Sequence, residues 1–335
     1  MKKILITGAG GYIGSNSTYL FLQKGYEVVG LDNFVRGFRK PLEVLQEKFG
    51  KDKLRFYDAD LTHDISEVFA KEKNIDAIIH YAAFCNVGES MLQPELYFSN
   101  NTYGVANLLD AMTKNDIKNL IFSSTCAVYG QSEYMPLDEK HPTNPLSVYG
   151  ESKRMAEKEI KWYAKQKDLK YVMLRYFNVC GASDDSLIGD SKKPSFHLMQ
   201  NAVRSALGIS KFELICPEVD TPDKTPIRDY VNVVDLNEAH ALALDYLLKG
   251  GENDVFNLGT GAGNSVLEIV NKVQELTGKK FDLGKGPTRQ GDPAQLYADN
   301  RKIKKVLGWE PKRSIEDSVR TLIEWYKARP NGWDK

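Results

Sequence analysis

Residues 3–14 read KILITGAGGYIG, and the fold turns on how those twelve residues are placed. An apolar run, KILIT, stops at Gly8, and glycines recur at 11 and 14 where a helical pattern opens near Tyr12. Alone, such glycines describe an ordinary tight turn. Directly after a strand and at the head of a helix they do more, because backbone N–H groups and the positive helix end can hold a pyrophosphate. The next apolar run, YEVVGLD (26–32), ends in Asp32, eighteen residues past Gly14. A carboxylate at that point binds the hydroxyls of an adenosine ribose and repels a 2′-phosphate. The expected cofactor is NAD rather than NADP, with Arg36 and Arg39 the residues that would argue otherwise.

Further strand patterns follow at LRFYDAD (54–60), DAIIHYAA (76–83), NLIFSST (119–125) and KYVMLRYFN (170–178). Helical stretches lie between them near 12–24, 64–73, 95–114 and 151–166. Alternation of this kind predicts an α/β chain, a Rossmann fold with a doubly wound parallel sheet whose ligand edge is the strand C-termini. Past residue 178 the rhythm loosens. Segments 181–195 and 216–227 read as loops, and helical patterns return near 197–207, 235–249, 265–277 and 314–328. We expect an NAD-binding domain over 1–178 and a smaller α/β substrate-binding domain over 179–335, with some segments returning to the first.

The bulk numbers exclude several classes. The 335 residues suffice for two domains, and 45 basic against 45 acidic side chains give a formal net charge of zero. That removes the electrostatic argument for nucleic acid or an anionic membrane as partner. The cysteines, Cys85, Cys126, Cys180 and Cys216, form no CxxC pair, which points to a reducing cytoplasm and neither zinc nor disulfides. The apolar run ILIT is too short for a signal peptide, and no stretch approaches the length of a membrane span. His63, His80, His141 and His240 show no metal-ligand spacing, so no metal is expected.

The segment SVYGESK (147–153) carries chemistry. Tyr149 and Lys153 are four residues apart at a helix start, so the phenol and the ammonium share a face. Most such pairs are solvated surface pairs. A free tyrosine titrates near 10, and lowering it by roughly three units costs about 4 kcal/mol. One ammonium together with an oxidised nicotinamide cation, close and partly dry, can supply that. The expectation is a phenol that moves protons as general acid–base.

The GxxGxxG spacing, the YxxxK pair and the hydroxyls of IFSSTCAVYG (121–130) resemble the extended branch of the short-chain dehydrogenase/reductase superfamily. The resemblance implies that Thr125, Tyr149 and Lys153 are catalytic, with Ser123 close by the cofactor and Ser124 between. It implies a cofactor site of Gly8, Gly11, Tyr12, Ile13, Gly14, Asp32 and Asn33. Asp60 and Leu61 would sit by the adenine, Tyr81, Ala82 and Ala83 beneath the cofactor, and Phe177 beside it. Asn100 would brace the central helix. Dehydratases of this group carry Asp-Glu after the catalytic Thr, whereas Cys126 and Ala127 stand here, so loss of water is disfavoured.

VGES (87–90), LRYFNVCGA (174–182), IRDYVNVVDL (227–236), VFNLGTG (255–261) and RQGDPAQLYAD (289–299) narrow the resemblance to the UDP-glucose 4-epimerase family, over roughly residues 3–310. That implies a tightly held NAD, a hydride taken from sugar carbon 4, a 4-keto sugar that turns over in the site, and return of the hydride to its other face. It also implies that Asn178, His197 and Leu198 line the sugar site and that Leu214, Ile215 and Cys216 flank the uracil. Arg228 and Arg289 would grip the diphosphate by bidentate pairing. Asp292 would lie near the uridine ribose, and Leu296, seven residues past Arg289, would gate sugar size. The chain departs from the family in three places. Cys85 replaces a cofactor-contacting lysine, His197 replaces an asparagine, and Asn232 replaces a histidine. Relatives are commonly homodimers through helices like 95–114 and 151–166. The run 313–328 puts Ile315, Val319, Leu322, Ile323 and Tyr326 on one face and reads as a core helix. Another UDP-sugar (N-acetylhexosamine, hexuronate or pentose) and a non-catalytic NAD-binding sensor are the competing readings; retention of Thr125, Tyr149 and Lys153 argues against the sensor.

Overall fold

The computed structural model describes residues 2–193, 195–286 and 293–333. Its strands are β1 (Lys3–Thr7), β2 (Glu27–Asp32), β3 (Leu54–Asp58), β4 (Ala77–His80), β5 (Asn119–Thr125), β6 (Lys170–Tyr176), β7 (Asn178–Cys180), β8 (Glu213–Leu214), β9 (Ile227–Arg228), β10 (Tyr230–Asn232), β11 (Asp254–Leu258), β12 (Asn264–Ser265), β13 (Gly284–Lys285) and β14 (Gln295–Leu296). Its α-helices are α1 (Tyr12–Gln23), α2 (Lys40–Phe49), α3 (Ser66–Lys71), α4 (Val87–Leu92), α5 (Pro94–Tyr97), α6 (Gly104–Lys114), α7 (Val148–Lys167), α8 (Leu198–Ala206), α9 (Val233–Leu248), α10 (Val266–Thr277), α11 (Arg301–Leu307) and α12 (Ile315–Ala328).

Seven strands form one parallel sheet in the order β3-β2-β1-β4-β5-β6-β11. Thr7 at the end of β1 stands level with Leu31 on one side and His80 on the other. The order reverses between β1 and β4, which opens a crevice at the strand C-termini. Both faces of the sheet are covered, and that is why its strands read as unbroken apolar runs. Ile4 and Ile6 pack with residues of α1 and α9, while Leu5 between them packs with Leu108 and Leu109 of α6 and Ile160 of α7.

Helix α7 begins where its cap dictates. Ser147 Oγ accepts the Gly150 N–H at 3.1 Å, Glu151 lies in the first turn, and Lys165 and Lys167 lie in the last. Both charge biases suit the helix dipole. The cap sets Tyr149 and Lys153 in the first two turns, beside the end of β5.

The helix expected over 95–114 is not continuous. Pro94 opens the short α5, a π-helical segment covers Phe98–Tyr103, and α6 begins at Gly104. Asn101 explains the wide turn. Its side chain accepts the Phe84 N–H and donates to the Phe84 carbonyl, both at 2.9 Å, completing the backbone beyond β4. Asn100, expected to brace the central helix, donates to Asn101 Oδ1 at 2.9 Å and lines the cavity, so the two asparagines act together here. The strand expected over 170–178 also divides. At Phe177 the chain leaves the main sheet, and β7 pairs with β10 instead. Helices α2 and α11 and the edge strand β11 were not among the expected elements.

In the later part of the chain β9 lies between β12 and β14, and β8 pairs with β13. Helices α8, α10 and α12 bury Val203, Val270 and Leu322 in a core continuous with that of α1. Val319, Leu322, Ile323 and Tyr326 of α12 are buried, as the helical spacing predicts. Among the described residues no helix is long and apolar enough to cross a membrane.

Candidate active site

The crevice at the switch between β1 and β4 widens into a cavity of about 570 Å³ that runs from Asp32 to Cys216. The glycine turn forms its floor. Gly8 has φ +68° and a Cβ at Gly14 would stand 2.0 Å from the Gly8 carbonyl oxygen, so neither position admits another residue. No side chain caps α1 at Gly11. The amides of its first turn are left for a ligand.

Asp32 is held by backbone alone, with Gly10 N–H donating at 2.9 Å and Phe34 N–H at 2.7 Å. Burial pushes its carboxyl up, and these two bonds oppose that shift. The two arginines that would favour a 2′-phosphate are committed elsewhere. Arg36 pairs with Glu89 at 2.7 Å and Arg39 pairs with Asp58. Asp60 accepts from Thr62 and from Asn33 Nδ2 at 2.9 Å, which places Asn33 and Asp60 side by side at the adenosine end. Leu61, Tyr81, Ala82, Ala83, Asn100, Ser123 and Phe177 line the same cavity, as do Tyr12 and Ile13.

At the other end of the cofactor path the three chemical groups converge. Thr125 ends β5 and caps the short turn that follows it, accepting the Ala127 N–H at 3.1 Å. Its hydroxyl lies beside the Tyr149 phenol, whose ring meets Tyr97 edge-on with centroids 6.5 Å apart. Lys153 donates to the Ser123 carbonyl at 2.9 Å and stands 4.8 Å above the Phe122 ring. Burial dominates both titrations. It pushes the Tyr149 phenol well up, against a downward pull from Thr125, and brings the Lys153 ammonium from 10.5 to about 8. The acidic phenol expected from the sequence draws on an oxidised nicotinamide cation as well as on Lys153. Desolvation outweighs one ammonium, and further positive charge has to arrive with a ligand.

On the opposite wall lie Asn178, His197, Leu198, Leu214, Ile215, Cys216, Arg228 and Leu296. His197 Nδ1 is 3.1 Å from the buried Asp190 carboxylate. Leu296 packs with Val128 and Phe177. Arg289 and Asp292 lie outside the described residues. Where a contact was expected to be lost at Cys85, an ammonium stands nearby, with Lys192 Nζ 3.5 Å from Cys85 Sγ. Among the described residues no group of three His, Cys, Asp or Glu side chains could hold a metal ion.

Comparison with known proteins agrees with this geometry. The model of the NAD dependent epimerase/dehydratase family matches residues 4–259. The chain belongs to that family. A UDP-glucose 4-epimerase of Lactobacillus helveticus is 41% identical, covering 99% of both chains. One of Lacticaseibacillus casei is 41% identical, covering 98% of both. The crystal structure of the UDP-glucose 4-epimerase from Bifidobacterium longum in complex with NAD+ and UDP is 35% identical, with a TM-score of 0.93 over 99% of this chain and 100% of that one.

Several residues that build this family member's site were not foreseen. Glu157, one turn past Lys153, takes two bonds from Arg175 of β6, at 2.8 and 2.6 Å, and a third from Ser124 Oγ at 2.6 Å. Arg175 also reaches the Tyr129 hydroxyl at 3.1 Å, which donates to Asn257 of β11 at 2.6 Å. This buried network fixes α7 against the sheet behind Lys153. Asp229 gathers three separate motifs, accepting from Thr260, Gly261 and Ala298. Asn232 caps α9 by accepting the Val234 N–H at 2.8 Å and donates to Ser318 Oγ at 2.9 Å.

Proposed function

We propose that this protein interconverts UDP-galactose and UDP-glucose by NAD-dependent removal and return of a hydride at sugar carbon 4. The observation that carries the reading is the meeting of Thr125, Tyr149 and Lys153 in one cavity with the glycine turn. NAD, when bound, takes up and returns the hydride and brings a cationic ring. The chain's own groups do the rest. Asp32 and Asn33 hold the adenosine, and the amides of Tyr12 and Ile13 meet the diphosphate. Lys153 binds the second ribose and lends charge to Tyr149, whose phenol takes and returns the proton of the carbon-4 hydroxyl while Thr125 holds that oxygen. Cys126 and Ala127 supply no carboxylate to eliminate water, so the 4-keto sugar persists long enough to turn and be reduced.

The sugar and nucleotide are assigned to Asn178, His197 and Leu198, to Leu214–Cys216, and to Arg228 with Arg289 and Asp292. The chain divides near 178/179 into a cofactor part and a sugar part, with 233–258 returning to the first. Tyr103, Met155 and Trp162 are exposed on the outer side of the segment before α6 and of α7. That apolar face is where a second copy would dock to form a homodimer. Free cysteines fit residence in a reducing cytoplasm.

Isotope labelling tests the reaction. UDP-galactose carrying deuterium at carbon 4 gives UDP-glucose that keeps the deuterium there. Loss of the label to solvent would rule out an internal hydride return.

A further inference from the structure

Lys192 stands in the segment between β7 and α8 and projects into the cavity from the wall facing the strand ends. Its segment is fixed from below. Asp190, fully buried, accepts the Lys192 N–H at 3.1 Å, the Ser195 hydroxyl at 2.9 Å and His197 Nδ1. The Asp190 carbonyl in turn accepts from Trp325 Nε1 and the Tyr326 hydroxyl. A backbone held this firmly sets the direction of the side chain that follows. Among the described residues the one hydrogen-bond partner of the Lys192 ammonium is the Cys85 thiol, a weak acceptor, at 3.5 Å. The Asp190 carboxylate acts on the ammonium through space and favours its charge, and Arg36 acts more weakly against it.

An ammonium that lines the cavity with a thiol as its hydrogen-bond partner is placed to take an oxyanion. The route of the dinucleotide supplies one. Cys85 closes the Tyr81–Cys85 extension of β4, and that extension presses on the glycine turn: a Cβ at Gly8 would lie 2.6 Å from the Ala82 nitrogen. A dinucleotide reaching from Asp32 over α1 to Lys153 crosses this extension. Its diphosphate is its anionic part.

Building on the NAD-dependent reading above, we propose that Lys192 is a positioning residue that clasps the diphosphate of the bound dinucleotide from the sugar-side wall. It does so in concert with the α1 amides, and Cys85 leaves room for it.

The test follows release of NAD from the purified holoenzyme after dilution, alongside steady-state turnover of UDP-galactose. Lys192→Ala weakens NAD binding by about tenfold to a hundredfold, the range of a charge-assisted contact. Lys192→Arg retains most of the affinity, and Lys193→Ala, at an exposed neighbour, changes nothing. The double variant Lys192→Ala with Cys85→Lys regains NAD, because a lysine at 85 returns an ammonium to the same space; a merely structural loss would not be rescued. NAD binding unchanged in Lys192→Ala overturns the assignment, and so does a raised KM for UDP-galactose with NAD release unaltered, which would place the ammonium on the substrate. Wild-type enzyme that never carries NAD would instead sink the underlying reading.

Discussion

The ammonium of Lys153 donates to the carbonyl of Ser123 at 2.9 Å, tying the second turn of α7 to the end of the central strand β5. That bond aims the lysine into the cofactor crevice while burial makes its charge costly. Its pKa falls from 10.5 to about 8, chiefly by desolvation and against the pull of Cys85 and Glu157. Below pH 8 the group is charged whether folded or not, and folding bears the full cost of burying it. Between pH 8 and 10.5 the folded protein sheds this proton while the unfolded chain keeps it, so this group's contribution to stability rises with pH across that window. Function runs the other way. NAD affinity of the ligand-free protein is expected to fall as pH rises through about 8, and in Lys153→Met to be weak and flat. Binding titrations from pH 6 to roughly pH 10, bracketing the reference lysine value, check it; a flat wild-type curve would contradict it.

Glu157 and Arg175 form a buried ion pair with two hydrogen bonds. Removing one partner strands the other charge. Glu157→Ala is predicted to cost about 3–5 kcal/mol of unfolding free energy. Glu157→Gln keeps the shape and should cost less, while shifting the Lys153 titration to lower pH. Denaturant unfolding gives the first quantity and the pH profile of NAD binding the second.

Tyr149→Phe removes the proton carrier and leaves the ring contact with Tyr97 in place. Turnover is expected to drop by about two to four orders of magnitude, the range for general acid–base groups. NAD stays bound and thermal stability stays near that of the wild type. Substantial residual turnover would remove the phenol from its assigned role.

Leu296 is nearly buried, packed with Val128 and Phe177 at the sugar end. Leu296→Ala opens space for an N-acetyl group and should raise kcat/KM for UDP-N-acetylglucosamine relative to UDP-glucose. It should also cost stability, by about 2–5 kcal/mol if the space stays empty. An unchanged ratio of kcat/KM values would place the gate elsewhere.

What the sequence disclosed was what is local. The glycine turn, Asp32 at a strand end, Thr125 at the close of β5 and the Tyr149–Lys153 spacing each depend on a few adjacent residues, and each lies in the one cavity. What it withheld depends on distant partners. Glu157 and Arg175 are 18 residues apart and belong to different elements. Asn101 acts through Phe84, and a buried asparagine has no periodicity to announce which neighbour it serves. Strand β11 escaped notice because Asp254 and Asn257 break its apolar run. Lys192 sits in a Gly-, Asp- and Ser-rich loop, where only the Asp190 anchor gives its direction meaning. The burial that raises the Tyr149 phenol in the ligand-free protein cannot be read from a spacing.

The most direct test of the whole account is to incubate the purified protein with UDP-galactose and no added cofactor, and to separate the products by chromatography. The account predicts UDP-glucose formed catalytically, with NAD recovered from the protein after denaturation. Conversion that requires added NAD and releases NADH in step with product, or no conversion at all by protein that carries NAD, would contradict it.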